Sequence, residues 1–351
     1  MAARRVATRG RTLSIYALLR VPPQLFAIPM GLAGLAGTWR TAAARVGAPA
    51  AFANLIYLLA AGVLALLGVA LVAKLARRPQ RVRNELAHPV VAPFYVLLPI
   101  SGMLLALGLA PYARPLAAVL FCACFAGAWL FGAWLAGQWI VRPLDACSIH
   151  PGYFLPTVGT GMIGAEGNAQ LGAPALGWLS FGAATVCWML FGSVIMYRLL
   201  VGPPLPAALT PTLAILLTPP ALAGNAYFGL NGGRIDTLAY LLAGYVAFMV
   251  LVQLRFLPLY RAAPFAPSFW SFTFPCAALV GYTHRWLALL KPGGASIMAW
   301  ALLMLLTGLV GAIAWRSAVA LRRGDFLPRV AARADNGIME TRQTRSTEKR
   351  S

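Results

Sequence analysis

The chain has 351 residues, of which 60% are hydrophobic and only 11% are charged, and its mean hydropathy is +0.75. Soluble globular domains carry about 25% charged residues. The composition therefore excludes a soluble fold and predicts an integral membrane protein. The formal net charge of +21 does not indicate nucleic-acid binding, because the basic residues lie at the ends of apolar segments and in the two tails.

Ten apolar segments are long enough to cross a bilayer, since an α-helix needs roughly 20 residues to span about 30 Å of hydrocarbon. We therefore predict an all-α integral membrane fold with ten transmembrane helices. The predicted spans are residues 22–38, 51–73, 90–110, 116–141, 153–172, 176–200, 211–230, 236–257, 268–289 and 296–320. The first span follows no recognisable cleavage site, so we expect it to remain in the protein.

The distribution of Lys and Arg predicts the orientation of these spans. With the N-terminus inside, fourteen basic residues fall on the cytoplasmic side and six on the outer side, before the nine that follow Ala314. Because basic loops remain in the cytoplasm, we expect both termini there, in a multi-pass protein of the cell membrane whose basic ends contact lipid. We expect residues 1–20 to form a basic N-terminus, 21–325 the transmembrane domain and 326–351 a disordered basic tail; residues 74–88 read as a basic cytoplasmic loop.

Proline occurs in every odd-numbered span and in no even-numbered one. When one proline is taken from each odd span, these prolines recur at intervals of 56 to 70 residues, which is close to the length of one helical hairpin. The spacing therefore predicts that the chain consists of five two-helix units. The prolines are Pro29, Pro99, Pro156, Pro219 (with Pro220 beside it) and Pro275. Because proline removes a helical hydrogen bond and kinks the axis, we expect kinked odd helices inside and straight even helices outside, although proline is also common in membrane helices generally.

Glu166 is the only acidic residue well inside a predicted span. A charge within the membrane suggests a functional site, so Glu166 is a candidate proton or cation site. The alternative is that Glu166 lies at the solvated outer entrance of the protein. The three histidines and five cysteines show no metal-ligand spacing, and we expect no metal, no cofactor and no disulfide framework. Basic residues are absent from the centres of the odd spans, which suits a channel better than a tightly binding carrier.

Four stretches resemble the tellurite-resistance and dicarboxylate transporter family, which includes the slow-type anion channels of plants and a bacterial tellurite-resistance channel homologue. The stretches are FAIPMGLAGLAGTWR (Phe26 to Arg40), SIHPGYFLPTVGTG (Ser148 to Gly161), LLTPPALAGNAYF (Leu216 to Phe228) and APSFWSFTFPCAALV (Ala266 to Val280). They lie in predicted spans one, five, seven and nine. The resemblance covers the chain from about residue 20 to residue 325.

This resemblance implies five helical hairpins, with the odd helices around a central pore and one pore in each subunit of a homotrimer. It also implies permeation by inorganic or small organic anions, and a phenylalanine of the ninth helix that closes the pore. The phenylalanine that precedes the proline of this motif is Phe274. We expect Gly34, Ala278, Gly281 and the kink prolines to line the same pore.

Two other functions stay open at this stage. One is a secondary carrier, such as a proton-coupled transporter of C4-dicarboxylates (malate) or a sulfite exporter, for which Glu166 is the one candidate coupling site. Glu166 does not map to a functional position of the family. The other is a membrane-embedded enzyme, which we do not expect because the chain lacks a convincing nucleophile, base and metal constellation.

Overall fold

The computed structural model describes residues 21–142 and 144–326. These residues form α-helices joined by 3-10 turns, one π turn and short loops, and they include no β-strand. The α-helices are α1 (Ala27–Val46), α2 (Ala50–Arg77), α3 (Pro79–Ala87), α4 (Leu97–Leu109), α5 (Arg114–Val141), α6 (Thr160–Leu171), α7 (Pro174–Val201), α8 (Thr218–Leu230), α9 (Thr237–Arg255), α10 (Leu257–Ala262), α11 (Thr273–Leu290) and α12 (Ala295–Arg323). The predicted N-terminal segment and, apart from Phe326, the predicted disordered tail lie outside the described residues.

Five elements are composite, because a 3-10 or π turn runs directly into an α-helix. The 3-10 turns precede α1 (Pro23–Phe26), α4 (Ala92–Val96), α8 (Thr210–Leu217) and α11 (Pro267–Phe272), and α6 follows a 3-10 turn (Pro151–Phe154) and a π turn (Leu155–Gly159). Each composite element is followed along the chain by a long uninterrupted helix: α2, α5, α7, α9 or α12. This alternation follows the predicted alternation of spans with and without proline.

The prolines stand where one helix type changes into another. Those at the second or third residue of an α-helix are Pro29, Pro99, Pro219, Pro220 and Pro275, while Pro156 lies within the π turn. The first N–H groups of an α-helix have no intrahelical acceptor, so proline fits there at little cost. The pyrrolidine ring of each proline would clash with a preceding α-helical turn, so the segment on its N-terminal side is not a regular α-helix.

The α-helical parts of the composite elements form a closed ring, in which α1 contacts α4, α4 contacts α6, α6 contacts α8, α8 contacts α11 and α11 contacts α1. Each uninterrupted helix packs outside this ring against the composite element that precedes it. The difference in burial is large: 89% of the most apolar part of Thr210–Leu230 is buried, against 17–28% in the five uninterrupted helices. We call the end at which the composite elements begin the lower end, and the opposite end the upper end.

Seven helices in the described residues are long and apolar enough to cross a membrane, so the chain is a multi-pass membrane protein. They are the five uninterrupted helices and the composite elements Ala92–Leu109 and Thr210–Leu230. The remaining composite elements contain α1, α6 and α11, which carry charged, polar and small residues because they face protein and a cavity. By length and apolarity alone, seven of the ten predicted spans are therefore recovered.

The predicted cytoplasmic loop at residues 74–88 is helical instead, since α2 continues to Arg77 and α3 follows after one residue. Lys74 is only 1% exposed, and it donates hydrogen bonds to the carboxylate of Glu85 and to the carbonyl oxygen of Val21. Arg81 and Tyr95 also donate to Glu85. A buried cation must be paired, and this pairing folds the basic segment back onto the lower end of the protein.

Candidate functional site

A cavity of about 440 Å³ lies inside the upper half of the ring, and we call it the upper cavity. All five composite elements contribute to it, together with Tyr57 of α2. Its lining residues are Ala33, Gly34, Gly37, Thr38, Arg40, Thr41, Ala44, Arg45, Tyr57, Leu104, Leu107, Ile163, Glu166, Gln170, Leu222, Asn225, Phe274, Ala277, Ala278, Gly281 and Arg285. Going from the lower to the upper end of α1 and α11, the lining changes from small apolar residues to charged ones.

Phe274 marks the lower limit of the upper cavity on α11. Its side chain is only 7% exposed, and its ring packs directly against the backbone of Gly34. A β-carbon at Gly34 would lie 2.9 Å from Cδ2 of Phe274 and 3.2 Å from Cβ of Ala277. Gly34 therefore provides the space that the ring fills, and Ala277, Ala278 and Gly281 continue the small-walled surface above it.

The other aromatic residues near Phe274 face elsewhere. Phe269, Phe272 and Pro275 line a separate groove of about 630 Å³ on the opposite side of α11, next to α9, α10 and α12. The indole of Trp270 is buried and donates a hydrogen bond to the hydroxyl of Ser317 on α12. Among the aromatic residues of SFWSFTFP, the sequence at residues 268–275, only Phe274 lines the upper cavity.

Three arginines line the charged part of the upper cavity. Arg40 is fixed by hydrogen bonds to Asn54 and to the carbonyl oxygen of Gly108, and its guanidinium stacks 4.7 Å from the ring centroid of Tyr57. Arg45 donates to the carbonyl oxygen of His284 at 2.8 Å. With Arg285 and the single carboxylate of Glu166, these groups give the cavity a formal charge of +2.

Glu166 forms an ion pair with Arg285, in which Nη2 of Arg285 lies 2.5 Å from Oε1 of Glu166. Nε of Arg285 donates a second hydrogen bond to Oδ1 of Asn225 at 3.0 Å. The amide of Asn225 in turn donates to the carbonyl oxygens of Ala278 and Ala221. The pair and its amide therefore join α6, α8 and α11 across the upper cavity.

A second cavity of about 440 Å³ lies at the lower end, where the composite elements begin, and we call it the lower cavity. Its lining is more weakly polar: Pro22, Pro23, Gln24, Ala27, Arg81, Glu85, Val91, Phe94, Ala208, Leu209, Thr212, Ala266, Pro267, Ser268 and Ser271. Oε1 of Gln24 and Oγ of Ser268 are buried and have no hydrogen-bond partner among the described residues. No group of three or more metal-ligating side chains occurs in residues 21–142 and 144–326.

Residues 20–318 match the family described as the voltage-dependent anion channel, SLAC1. The chain belongs to the SLAC1 family. The match covers every composite element of the ring, and it confirms the resemblance predicted from the four sequence stretches. Membership of the SLAC1 family indicates transport of anions across a membrane, which is not a catalytic function.

The chain is also similar to two characterised proteins. The chain is 28% identical over 269 residues to the tellurite resistance protein TehA homolog of Haemophilus influenzae, which covers 76% of this chain and 82% of that protein. It is 25% identical over 317 residues to the S-type anion channel SLAH3 of Arabidopsis thaliana, covering 84% of this chain but only 48% of the plant protein. The chain therefore spans about half the length of its plant relative.

Within this SLAC1-family chain, the predicted site residues fall into two groups. Gly34, Glu166, Phe274, Ala278 and Gly281 line the upper cavity. The predicted pore prolines do not line it, and Pro275 faces the opposite groove. The prolines shape the ring at the helix junctions, which explains why they recur without contacting the upper cavity.

Sequence reasoning missed Asn225 and did not bring the arginines together with Glu166. One signal could have found the cluster of Glu166, Asn225 and Arg285: each stands five residues before the last residue of its helix. Residues at the same distance from the ends of parallel helices lie at the same depth. The carboxylate of Glu166, the amide of Asn225 and the guanidinium of Arg285 are therefore at the same level of the ring.

Proposed function

We propose that the protein conducts small anions passively across the cell membrane, through a pore at the centre of the ring of composite elements. The observation that carries the proposal is the position of Phe274, which separates a small-walled cavity from the lower end of the ring. The cationic lining beyond the small residues would attract anions, since charged clefts with low-dielectric walls concentrate counter-ions. Membership of the SLAC1 family supports the same function.

The proposed path connects the two cavities past Phe274. Ser271 lines the lower cavity and Phe274 lines the upper one, so only about 5 Å of helix separates them. A movement of one ring could therefore join the two spaces. In this closed arrangement Phe274 acts as the gate, and Gly34, Ala278 and Gly281 form the narrow wall above it.

We place all ten predicted spans across the membrane, with the lower end and both termini in the cytoplasm. The basic residues near the lower end, including Arg77, Arg78 and Arg83, would then face the cytoplasm and its anionic lipid surface. The proposed assembly is a homotrimer with one pore in each subunit, as the family resemblance implies. Each subunit holds a complete ring of its own, which fits one path per subunit.

Phe274→Ala tests the gate directly. We expect anion conductance in proteoliposomes to rise about tenfold or more if the ring contributes about 1.4 kcal/mol to the barrier. Phe272→Ala is the matched control. It removes the same kind of ring two residues earlier in the chain, but the side chain of Phe272 faces the opposite groove. Unchanged current in a correctly folded Phe274→Ala protein, or an equal increase in both variants, would contradict the gate.

A second candidate function is proton-coupled carriage of an anion, because an ionisable carboxylate, Glu166, lines the upper cavity. The candidate substrates are C4-dicarboxylates such as malate, and sulfite. Reversal potentials measured in proteoliposomes with chloride, nitrate, sulfite and malate, with and without a pH gradient, separate the two functions. A passive channel keeps the same reversal potential when a pH gradient is imposed at fixed concentrations of every anion species, whereas a coupled carrier shifts it.

A further inference from the structure

The ion pair between Glu166 and Arg285 lies within the upper cavity rather than behind its wall. Both side chains line the cavity, and they are 20% and 21% exposed, respectively. Asn225 holds Nε of Arg285, which leaves the outer edge of the guanidinium directed at the carboxylate. The cationic edge is therefore accessible from the cavity and is occupied by a group of this chain.

The three arginines of the cavity are bound differently. Arg40 is committed to Asn54, to the carbonyl oxygen of Gly108 and to the Tyr57 ring, and Arg45 is bonded to a backbone carbonyl. Arg285 alone among them pairs with a carboxylate, and Glu166 is the only acidic residue in the cavity lining. A carboxylate belongs to the same chemical class as the anions that this cavity would take.

We propose that the edge of Arg285 is an anion-binding site of the upper cavity and that Glu166 is a tethered competitor, which occupies this site when no anion is bound. The inference rests on the proposed function, since it names the group that receives the transported anion. An incoming anion displaces the carboxylate, accepts its hydrogen bond from Nη2 and leaves the link between Arg285 and Asn225 in place. Small mono- or divalent anions, such as nitrate, chloride or a carboxylate, are the ligands of this class.

Exchange at this site is energetically accessible. A partly solvated ion pair is weak, because water screens the attraction between its charges, so an anion at sufficient concentration can replace the carboxylate. Glu166 has one further hydrogen bond, from Nε2 of Gln170 at a long 3.4 Å. The carboxylate is thus held mainly by the group it would release.

Anion binding is measured on the purified full-length protein as the rise in thermal midpoint with increasing sodium nitrate, at ionic strength held constant with the bulky sulfonate HEPES. We expect Glu166→Gln to lower the apparent Kd for nitrate about two- to fivefold, because the neutral amide competes less well for Arg285. Glu166→Asp, which keeps the charge but shortens the side chain, should also bind nitrate more tightly than the wild type at pH 7.

Asp236→Asn is the matched control. It removes one negative charge from the same end of the molecule, where Asp236 caps α9 outside the cavity lining, and should leave the apparent Kd unchanged.

A double-mutant cycle decides whether the gain acts through Arg285. In an Arg285→Gln background, Glu166→Gln should give no gain in nitrate affinity; a gain that persists there would overturn the proposal, as would an unchanged Kd in Glu166→Gln alone. Conductance is measured on the same proteins in liposomes. Anion current in the wild type together with a normal Kd in Glu166→Gln refutes only the competitor, whereas nitrate binding without current refutes only the proposed channel.

Discussion

The inner ring and the outer helices of this protein are both apolar, but they meet different surroundings. In the outer helix α2, 17% of the most apolar stretch is buried, whereas in the inner element Thr210–Leu230 the share is 89%. Outer helices expose large side chains such as Leu58 and Leu130, as expected for contact with lipid. Inner elements replace these with glycine, alanine, threonine and proline, because small residues allow backbones to approach closely.

This comparison shows that hydropathy alone does not tell the two layers apart. Mean hydropathy is 1.9 for both the inner element Ala92–Leu109 and the outer helix α9, although 56% and 22% of their most apolar stretches are buried. The informative property is the size of the side chains on the packed faces.

Adding one methyl group to an inner glycine should be far more costly than adding it to an outer one. A β-carbon at Gly31 would lie 1.9 Å from Oγ1 and 2.7 Å from Cβ of Thr273, whereas one at Gly62 of α2 meets nothing within 4 Å. We expect Gly31→Ala to lower the free energy of unfolding by about 3 kcal/mol, the upper part of the overpacking range. Thermal unfolding in detergent measures this loss.

Gly62→Ala is the control for the same substitution in the outer layer. It should leave the free energy of unfolding within about 1 kcal/mol of the wild type, or raise it, because alanine favours helix over glycine. Comparable losses in the two variants would show that the inner and outer layers are packed alike.

The cluster at Glu85 connects the layers, because Lys74 of outer helix α2 and Tyr95 of an inner element both donate to its carboxylate. Burial alone would raise the pKa of Glu85, but the hydrogen bonds from Lys74, Tyr95 and Arg81 hold the pKa below its usual range. We expect Glu85→Gln to cost about 1–2 kcal/mol of unfolding free energy at pH 7.

The pH dependence of this effect follows from the direction of the shift. A depressed pKa in the folded state stabilises the protein above the unfolded pKa of about 4.3, and this stability is lost as the pH falls through the folded pKa. When unfolding is measured from pH 7 down to pH 3, the difference in unfolding free energy between the wild type and Glu85→Gln should therefore shrink towards the acidic end. A constant difference over that range would contradict the assigned role of the charge.

Pro275→Ala should have the smallest effect on stability. Pro275 is the third residue of α11, where an N–H group has no obligatory helical acceptor, so the loss of the ring should change the free energy of unfolding by about 1 kcal/mol or less. Thermal unfolding beside the wild type measures this change. A decrease of about 3 kcal/mol in the free energy of unfolding would contradict this prediction. It would show that proline is needed to prevent α11 from extending as an α-helix into residues 267–272.

The sequence predicted an all-helical membrane protein and two alternating kinds of segment, because hydropathy and proline act locally. Pro29, Pro99 and Pro275 were expected inside, and each marks a composite element of the ring. Phe274 and Gly34 were both predicted to be site residues, but their contact, which is close enough to exclude a β-carbon at Gly34, was not predicted. The four motif stretches also predicted the family correctly.

The remaining features depend on contacts between distant parts of the chain. Glu166 and Arg285 are 119 residues apart, so their pairing depends on how α6, α8 and α11 are arranged in the ring. The same is true of Lys74, whose burial requires that α3 fold back and supply Glu85. Charges at helix ends were interpreted as orientation signals, although several of them are also structural or cavity-lining groups.

The 3-10 turns also affect how far each inner element reaches. A 3-10 helix rises about 2.0 Å per residue against 1.5 Å in an α-helix. Thr210–Leu230 has 8 residues of the first kind and 13 of the second, giving a length of about 36 Å, where an all-α segment would reach about 32 Å. The stretched lower half thus lets this small-residue segment match the thickness of a bilayer, for which the outer helices α2, α5, α7 and α12 use 28 or 29 residues of plain α-helix.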